Sequence, residues 1–331
     1  MKEKGSISAV ILGLLLFVSV LFLSGSVFIE IALKELKRSE QRDREKEVLV
    51  KTADQIVQLL LDDPTPFADA LQDPIWEEIK SMEHQGIKAV GLKDVSSSIG
   101  LNWVRKELLE RMAVLDLGKT VQELQQFRED SGIHLNMEKA FHDFVKEEDI
   151  EEFFTAYNYF NINISDEFVL RKLYSIRTGN MEEAEVFHTK LQNIRIEKKQ
   201  IEPQDMESFL SGLNYDTLFP VLNAEPVMNI HFMHEKILED LFSYYEVPAG
   251  KAESITNSRE SSEWTVNDLK ALIGDKYSGT LLHHYLGCRT WFWEIYVEGE
   301  KLKLTRIIAR MPEEAEEGVP EFRLVEEDLS L

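Results

Sequence analysis

Few residues in this chain have types and spacing that suggest chemistry. His231-Phe232-Met233-His234-Glu235 groups two imidazoles and a carboxylate, the donor types of a transition-metal centre. A zinc-hydrolase helix needs its histidines at i and i+4 so that both reach one ion, and these stand at i and i+3. His283 and His284 are adjacent, and adjacent side chains leave a helix or strand on different sides. Cys288 is the one cysteine, which excludes an intrachain disulfide and a Cys-rich metal site. In its apolar surroundings it reads as a small buried hydrophobe. There is no Ser or Cys nucleophile motif and no phosphate-cradling glycine loop. The 60 Asp and Glu residues are too many to single out a catalytic pair. The expectation is a protein that is not an enzyme, with metal ligands unassigned.

Any such residues must be positioned by the elements around them. At 331 residues, 44% hydrophobic, the chain can form one large domain or two ordinary ones and bury a core. Its net charge of -23 repels phosphate backbones, so nucleic acid is not an expected partner. Anionic lipid headgroups are disfavoured as a docking surface for the same reason. Divalent cations are the natural counter-ligands, although a charge count names no site.

The N-terminus is the most informative segment. Met1-Lys2-Glu3-Lys4-Gly5 is short and charged, and Gly5 to Ile29 carries no charge over 25 residues. A helix of that length crosses a hydrocarbon core of ~30 Å at ~1.5 Å per residue. Three readings compete. One is a secretory signal peptide removed near Ser24-Gly25-Ser26. Another is a plain signal anchor. The third is a pilin-type signal, cut between Gly5 and Ser6 at the cytoplasmic face, with the apolar stretch retained. The third is favoured because Glu30 onward continues in helical pattern without a break. Residues 34–47 are charged at 11 of 14 positions, and Leu49, Ala53, Ile56 and Leu60 then give one apolar face. Asp62-Asp63-Pro64 ends the helix, predicted at about 55 residues. Most pilins carry a glutamate five residues after the cut, which neutralises a neighbour's N-terminal ammonium. That place is Val10 here. A subunit with nobody above it has no ammonium to meet, and a buried unpaired carboxylate is costly.

The middle of the chain is internally duplicated. Phe160-Asn161-Ile162, then Glu167, Leu170, Leu173, Tyr174 and Ser175, parallels Met228-Asn229-Ile230, then Glu235, Leu238, Leu241, Phe242 and Ser243. Leu191 to Arg195 parallels Ile255 to Arg259, and Asp205 to Leu210 parallels Asp268 to Ile273. Each copy reads as an Asn-Ile turn, a helix, a helix ending in Asn-x-Arg, and a last helix opened near Asp. This is a module of helix-hairpin-helix type. DNA-binding versions present a Gly-containing hairpin to phosphate. Here that place holds Arg177-Thr178-Gly179-Asn180 in the first copy and the acidic Glu246 to Gly250 in the second. With the net charge, a competence-type DNA-binding protein is the least favoured alternative. His231 and His234 match Asn163 and Asp166 of the first copy, so they read as ordinary polar positions at a helix start.

Strands flank this block. Gly86 to Asp94 reads as a strand, Ser96 to Ser98 as a turn, and Ile99 to Trp103 as a further extended piece. Cys288 to Val297 and Leu302 to Met311 form a hairpin around Glu298-Gly299-Glu300-Lys301, with Trp291 and Trp293 expected on one face, either as a binding platform or, the favoured reading, packing the sheet on the long helix. Phe322 to Val325 gives an edge strand within an acidic tail. The expected fold is α+β: a pilin-like long N-terminal helix on a small antiparallel sheet, with a large all-α insertion of two helix-hairpin-helix-like (SAM-like) repeats. The expected divisions are a leader at 1–5, a transmembrane and assembly helix at 6–29, and the amphipathic helix with first strands at 30–103. The helical insertion follows at 104–285, with repeats at about 158–211 and 226–274, and the closing strands and tail at 286–331.

These pieces in this order resemble the minor pseudopilin K family of type II secretion systems. The residues that carry the resemblance are the pilin-type signal with Val10 in place of the glutamate; Asp94, Ser97, Ile99, Gly100, Leu101 and Asn102; Asn161-Ile162-Asn163 and, more weakly, Asn229-Ile230-His231; and Asn257-Ser258-Arg259. Gly100 departs from the asparagine of the family pattern, and residues 111–157 match nothing in it. The resemblance implies a single-pass inner-membrane protein with its C-terminal domain in the periplasm, at the tip of a short pseudopilus. Its implied partners are other minor pseudopilins, the inner-membrane platform of the secretion system, a prepilin peptidase, and membrane lipid along residues 6–29. It also implies calcium in the head, with no ligand assignable to a residue.

Overall fold

The computed structural model describes residues 3–65, 68–83, 86–100, 102–112, 126, 153–218, 221–312 and 321–330. Leu101, most of 111–157 and the acidic stretch 313–320 lie outside the described residues. The chain is a mixed α+β protein with a long N-terminal helix and a small antiparallel sheet.

Helix α1 runs unbroken from Glu3 to Leu61, 59 residues. It stops where Asp63 accepts the Thr65 N–H at 2.8 Å, and where Pro64 disfavours helical backbone at the residue before it. The stripe Leu49, Ala53, Ile56 and Leu60 is buried to 1% exposure or less. It packs with Val90, Leu92, Trp293, Ile295, Val297, Leu304 and Ile308. The short helix α2 (Ile75–Ser81) adds Ile79 to that core.

Strand β1 (Ala89–Asp94) belongs to the sheet that receives α1. Three parallel pairs of two-residue strands then punctuate the chain: β2 (Ile99–Gly100) with β3 (Phe154–Thr155), β4 (Phe160–Asn161) with β5 (Leu222–Asn223), and β6 (Met228–Asn229) with β7 (Leu286–Gly287). In each pair the second strand lies beside the first after an intervening stretch, and the described residues of each stretch include helix. The piece Ile99–Trp103 thus pairs with residues far along the chain and not with β1. The sheet is completed by β8 (Phe292–Glu298), β9 (Lys303–Arg310) and β10 (Phe322–Ser330), in the order β1-β8-β9-β10, every pair antiparallel.

The first closed stretch contains α3 (Lys106–Leu109). The second contains α4 (Glu167–Thr178), α5 (Met181–Ile196), α6 (Met206–Leu210) and α7 (Tyr215–Leu218). The third contains α8 (Glu235–Tyr244), α9 (Ala249–Ser258), α10 (Val266–Ile273), α11 (Asp275–Ser278) and α12 (Leu282–Tyr285). Asp166 caps α4 by accepting the Phe168 and Val169 N–H groups, and His234 caps α8 by accepting the Lys236 N–H through Nδ1. The apolar faces match position for position: Leu108, Leu109 and Met112; Val169, Leu170 and Leu173; Ile237, Leu238 and Leu241. All nine belong to one continuous core.

Trp291 and Trp293 do not share a face, which corrects the sequence expectation. Trp293 lies in the α1 core, whereas Trp291 packs with Tyr159, Phe292, Ile307 and Ala309. Strand alternation begins at Phe292, so Trp291 is free to turn the other way and donates its indole N–H to the Pro226 carbonyl at 2.6 Å.

Candidate functional site

Two parts of the molecule invite a functional account: the bare half of α1, and the polar junction that fixes the other half to the head. From Ile11 to Leu33 the helix packs against no other element, with Phe22 77% and Phe28 73% exposed. It is the one helix among the described residues that is long and apolar enough to cross a membrane, with a mean hydropathy of 2.5 in its most apolar stretch. The helix is thus a candidate membrane anchor. Its few hydroxyls are satisfied internally: Ser19 donates to the Leu15 carbonyl, Ser24 to Val20 and Ser26 to Leu23, each at 2.8 Å. A segment in hydrocarbon needs such internal partners, because no water is there to supply them. Gly5, Ser6 and Val10 lie on this same helix, and their side chains are outside the described residues.

Beyond the apolar half, α1 is gripped by charged contacts. Glu45 accepts the Lys301 N–H at 2.7 Å and the Leu302 N–H at 3.1 Å, binding the turn between β8 and β9. Burial opposes ionisation of Glu45, but these N–H bonds outweigh it and hold its pKa below the usual value. Gly299 makes the approach possible, since a Cβ there would stand 2.3 Å from the Glu45 carboxylate. Arg306, whose side chain is 10% exposed, reaches Asp54 of α1 and Glu327 of β10, both at 2.6 Å. One guanidinium therefore ties helix, inner strand and edge strand together.

Where the sheet meets the helical stretches lies a buried polar node. Asp94 closes a tight turn by accepting the N–H groups of Ser96 (2.6 Å) and Ser97 (2.9 Å) on one oxygen. Its other oxygen accepts the Ser97 hydroxyl and the Thr290 hydroxyl, the latter at 2.6 Å. Burial pushes the Asp94 pKa up against these bonds. Asp69 forms a bidentate pair with Arg310 at 2.8 and 2.9 Å and accepts the Thr290 N–H at 2.7 Å. Burial raises the Asp69 pKa to about 6, with Arg310 opposing. Asn229 joins the two acids: its backbone N–H donates to Ser97 Oγ, and its amide to the Asp69 carbonyl and Thr290 Oγ1. The Asp94 and Ser97 of the sequence motif and the Asn229 of the duplication thus meet in space.

The duplicated residues make duplicated contacts. Asn161 accepts the Asn163 and Ile164 N–H groups, and Asn229 accepts the His231 N–H. Arg195 donates to the Ile162 and Ser165 carbonyls, and Arg259 to those of Ile230 and Met233, one and four residues after the respective asparagines. Asn163 brackets the backbone of Ile201, through an N–H at 2.9 Å and a carbonyl at 2.8 Å. His231 Nε2 lies 3.1 Å from both the N–H and the carbonyl of Trp264 and makes one of these two bonds, accepting the N–H or donating to the carbonyl according to its tautomer. His231 is 1% exposed, more deeply buried than an ordinary polar position at a helix start implies, and burial lowers its pKa.

The remaining chemistry-bearing residues are also placed. The rings of His283 and His284 do not point apart, as expected from adjacency, but lie 4.0 Å centroid to centroid on the four-residue α12. His283 Nδ1 faces the Thr280 carbonyl at 2.9 Å and His284 Nδ1 the Ala224 carbonyl at 3.2 Å. Burial takes the His284 pKa down to about 3. Cys288 is 2% exposed, and burial pushes its thiol up to about 12, so it is an inert hydrophobe. Among the described residues, no group of three His, Cys, Asp or Glu side chains could hold a metal ion.

Sequence reasoning missed Asp69, Thr290 and Arg310, which no local pattern marks. It also missed the equivalence of the first closed stretch to the other two. The signal for that was Leu108, Leu109 and Met112 at the spacing of Leu170 and its neighbours. Compared with known proteins, the chain matches no family model and no curated sequence.

Proposed function

We propose that this chain is a minor pseudopilin of a type II secretion system, the tip subunit of a short periplasmic pseudopilus that assists assembly initiation and protein export. The observation that carries this reading is a single unbroken helix, bare and apolar in its first half and laid along an antiparallel sheet in its second. A pilin-type subunit needs that division. Lipid covers the bare half before assembly, and neighbouring helices cover it afterwards. A prepilin peptidase cuts between Gly5 and Ser6 at the inner membrane, leaving the head in the periplasm. Val10, apolar where a shaft subunit needs a carboxylate, fits a subunit with nothing above it. The helical stretches are SAM-like repeats that widen the head for contact with companion minor pseudopilins. The net charge of -23 disfavours nucleic acid as a partner.

Mass spectrometry of the native protein tests the processing step. The expected mature N-terminus is Ser6, with or without methylation. An intact Met1 would support a signal-anchored interaction domain without a pilin role, and a start near Val27 would mean a removed signal peptide. Position in the filament is tested with Val10→Glu and Val10→Leu, scored by secretion and by crosslinks to companion subunits. Val10→Leu should be silent. Val10→Glu should move crosslinks from tip partners to the shaft subunit, because a buried carboxylate needs a cationic partner. Unchanged crosslinks and full secretion with the glutamate would overturn the tip assignment.

A further inference from the structure

A cavity of about 330 Å³ opens where the three strand-closed stretches meet. Arg105 comes from the first stretch, Glu167 and Arg195 from the second, and Thr280 from the third. Lys198 and Lys199 complete the wall. Lys199 is paired with Glu197 at 2.6 Å, which leaves Arg105, Arg195 and Lys198 around the Glu167 carboxylate, a local excess of positive charge in a chain whose net charge is -23. Both guanidiniums are fixed by neutral backbone oxygens. Arg105 donates to the Asn163 and Ile164 carbonyls at 2.6 and 3.0 Å, and Arg195 to those of Ile162 and Ser165 at 2.9 and 2.7 Å. Carbonyls orient a guanidinium but do not cancel its charge. Glu167, 3.4 Å from Arg195, is also shared with His188 at 3.6 Å. Arg195 Nε is buried with no hydrogen-bond partner. Burial first, and then the charge of Arg105, take the Arg195 pKa down to about 10. At the mouth, Lys198 has a left-handed backbone, with φ of 54°.

We propose that this cavity is a binding site for a small oxyanion, a phosphate or carboxylate group, held between Arg105 and Arg195 with Lys198 at its mouth. Oriented guanidiniums present planar donor pairs that match such groups. The volume falls within the usual range of small-molecule sites, roughly 300–1,000 Å³. Since all three stretches contribute wall residues, the anion binds only their assembled form and stabilises it by linkage.

The test is thermal unfolding of the full chain in detergent at constant ionic strength, with inorganic phosphate or malonate replacing chloride. Phosphate, malonate or both should raise the melting temperature saturably, and the effective one identifies the preferred oxyanion. Lys198→Asn suits a left-handed backbone and touches no hydrogen bond of either guanidinium, so the variant should fold as the parent does. Its apparent affinity should be weaker by roughly fivefold, the effect of one charge pair at ~4 Å in water. No saturable response of the parent to either anion would overturn the proposal. An equal response in the Lys198→Asn variant would place the anion elsewhere and overturn it as well.

Discussion

Replacing Asp94 by alanine removes the acceptor on which the sheet, the Ser96–Ser98 turn and the segment around Thr290 converge. Five donors lose their partner: the N–H and hydroxyl groups of Ser96 and Ser97, and the Thr290 hydroxyl. The hydroxyls can rotate towards other oxygens, but the two N–H groups cannot. Ser96 is fully buried and Ser97 is 3% exposed, so water does not replace the lost acceptor. Each orphaned buried donor costs about 1–3 kcal/mol, which gives about 2–6 kcal/mol for Asp94→Ala. Asp94→Asn is the control. It keeps one oxygen for the two N–H groups and removes a charge that burial disfavours. Its amide can donate to hydroxyls that turn their lone pairs towards it. The expected loss for Asp94→Asn is therefore within about 1 kcal/mol. Urea denaturation of the full chain in detergent measures both, with tryptophan fluorescence as the signal. Trp291 is a local reporter, since its backbone N–H donates to Ser96 Oγ at 3.1 Å. A loss below ~1 kcal/mol for the alanine variant, or equal losses for both variants, would show that the node does not act through these two N–H groups.

Two aspartates with raised pKa and two buried histidines with lowered pKa pull the pH dependence of stability in opposite directions near neutrality. Burial raises Asp69 and Asp73 to about 6 in the folded chain, above the ~3.9 of an unfolded aspartate. The folded state therefore takes up these protons first, so the stabilisation is complete below about pH 4 and is lost as pH rises through 6. His284, held at about 3, and His231, also lowered by burial, act in the opposite sense over the same range, so the contribution is read as a difference. From pH 7 to pH 5 the urea midpoint should fall further, or rise less, in Asp73→Asn than in the parent, and identical changes in the two would contradict this account. Leu109→Ala, Leu170→Ala and Leu238→Ala should each cost about 2–5 kcal/mol in the same assay, because they hold matched core positions in the three stretches. A loss below ~1 kcal/mol at any of them would break the equivalence.

What was legible in the sequence depended on how locally each feature is encoded. Helix α1 was readable because its cause is local: uncharged residues, then charged ones, then the stripe from Leu49 to Leu60, then Pro64. The duplication was readable because Asn161 and Asn229 each turn their own backbone, and Arg195 and Arg259 each clamp the turn beyond it. The first closed stretch escaped notice because Gly100 stands where those asparagines do, with no side chain to make the turn. The reason is steric: a Cβ on Gly100 would come within 1.9 Å of the Trp103 indole nitrogen. The polar node was illegible because its members are brought together only by the fold; Asp69 meets Arg310 across 241 positions of chain. Trp291 misled because alternation was extended one residue beyond the strand that enforces it. The pairing of His231 with Asn163 and of His234 with Asp166 located a shared role, since Asp166 and His234 each cap their helix. That comparison still missed how deeply His231 is buried.

The contacts along α1 bear on how the anchor and the head act together. Sliding the helix along its axis would separate Glu45 from the β8–β9 turn and Asp54 from Arg306 in the same movement. It would also withdraw Leu49, Ala53, Ile56 and Leu60 from one sheet face. Nor can the strain stop at the sheet. The chain leaving α1 reaches Asp69, whose N–H donates to the Cys288 carbonyl at 2.8 Å and whose carboxylate holds Arg310 of β9. Asn229 grips the same residue from the third helical stretch, at 2.8 Å. A displacement of the anchor must therefore either carry the sheet and helical stretches with it or expose the buried Asp69–Arg310 pair. Breaking such a pair by removing one partner costs about 3–5 kcal/mol, well above the worth of any single exposed ion pair on α1. Helix α1, the sheet and the third helical stretch are thus joined through one buried ion pair as well as through the charged contacts on α1.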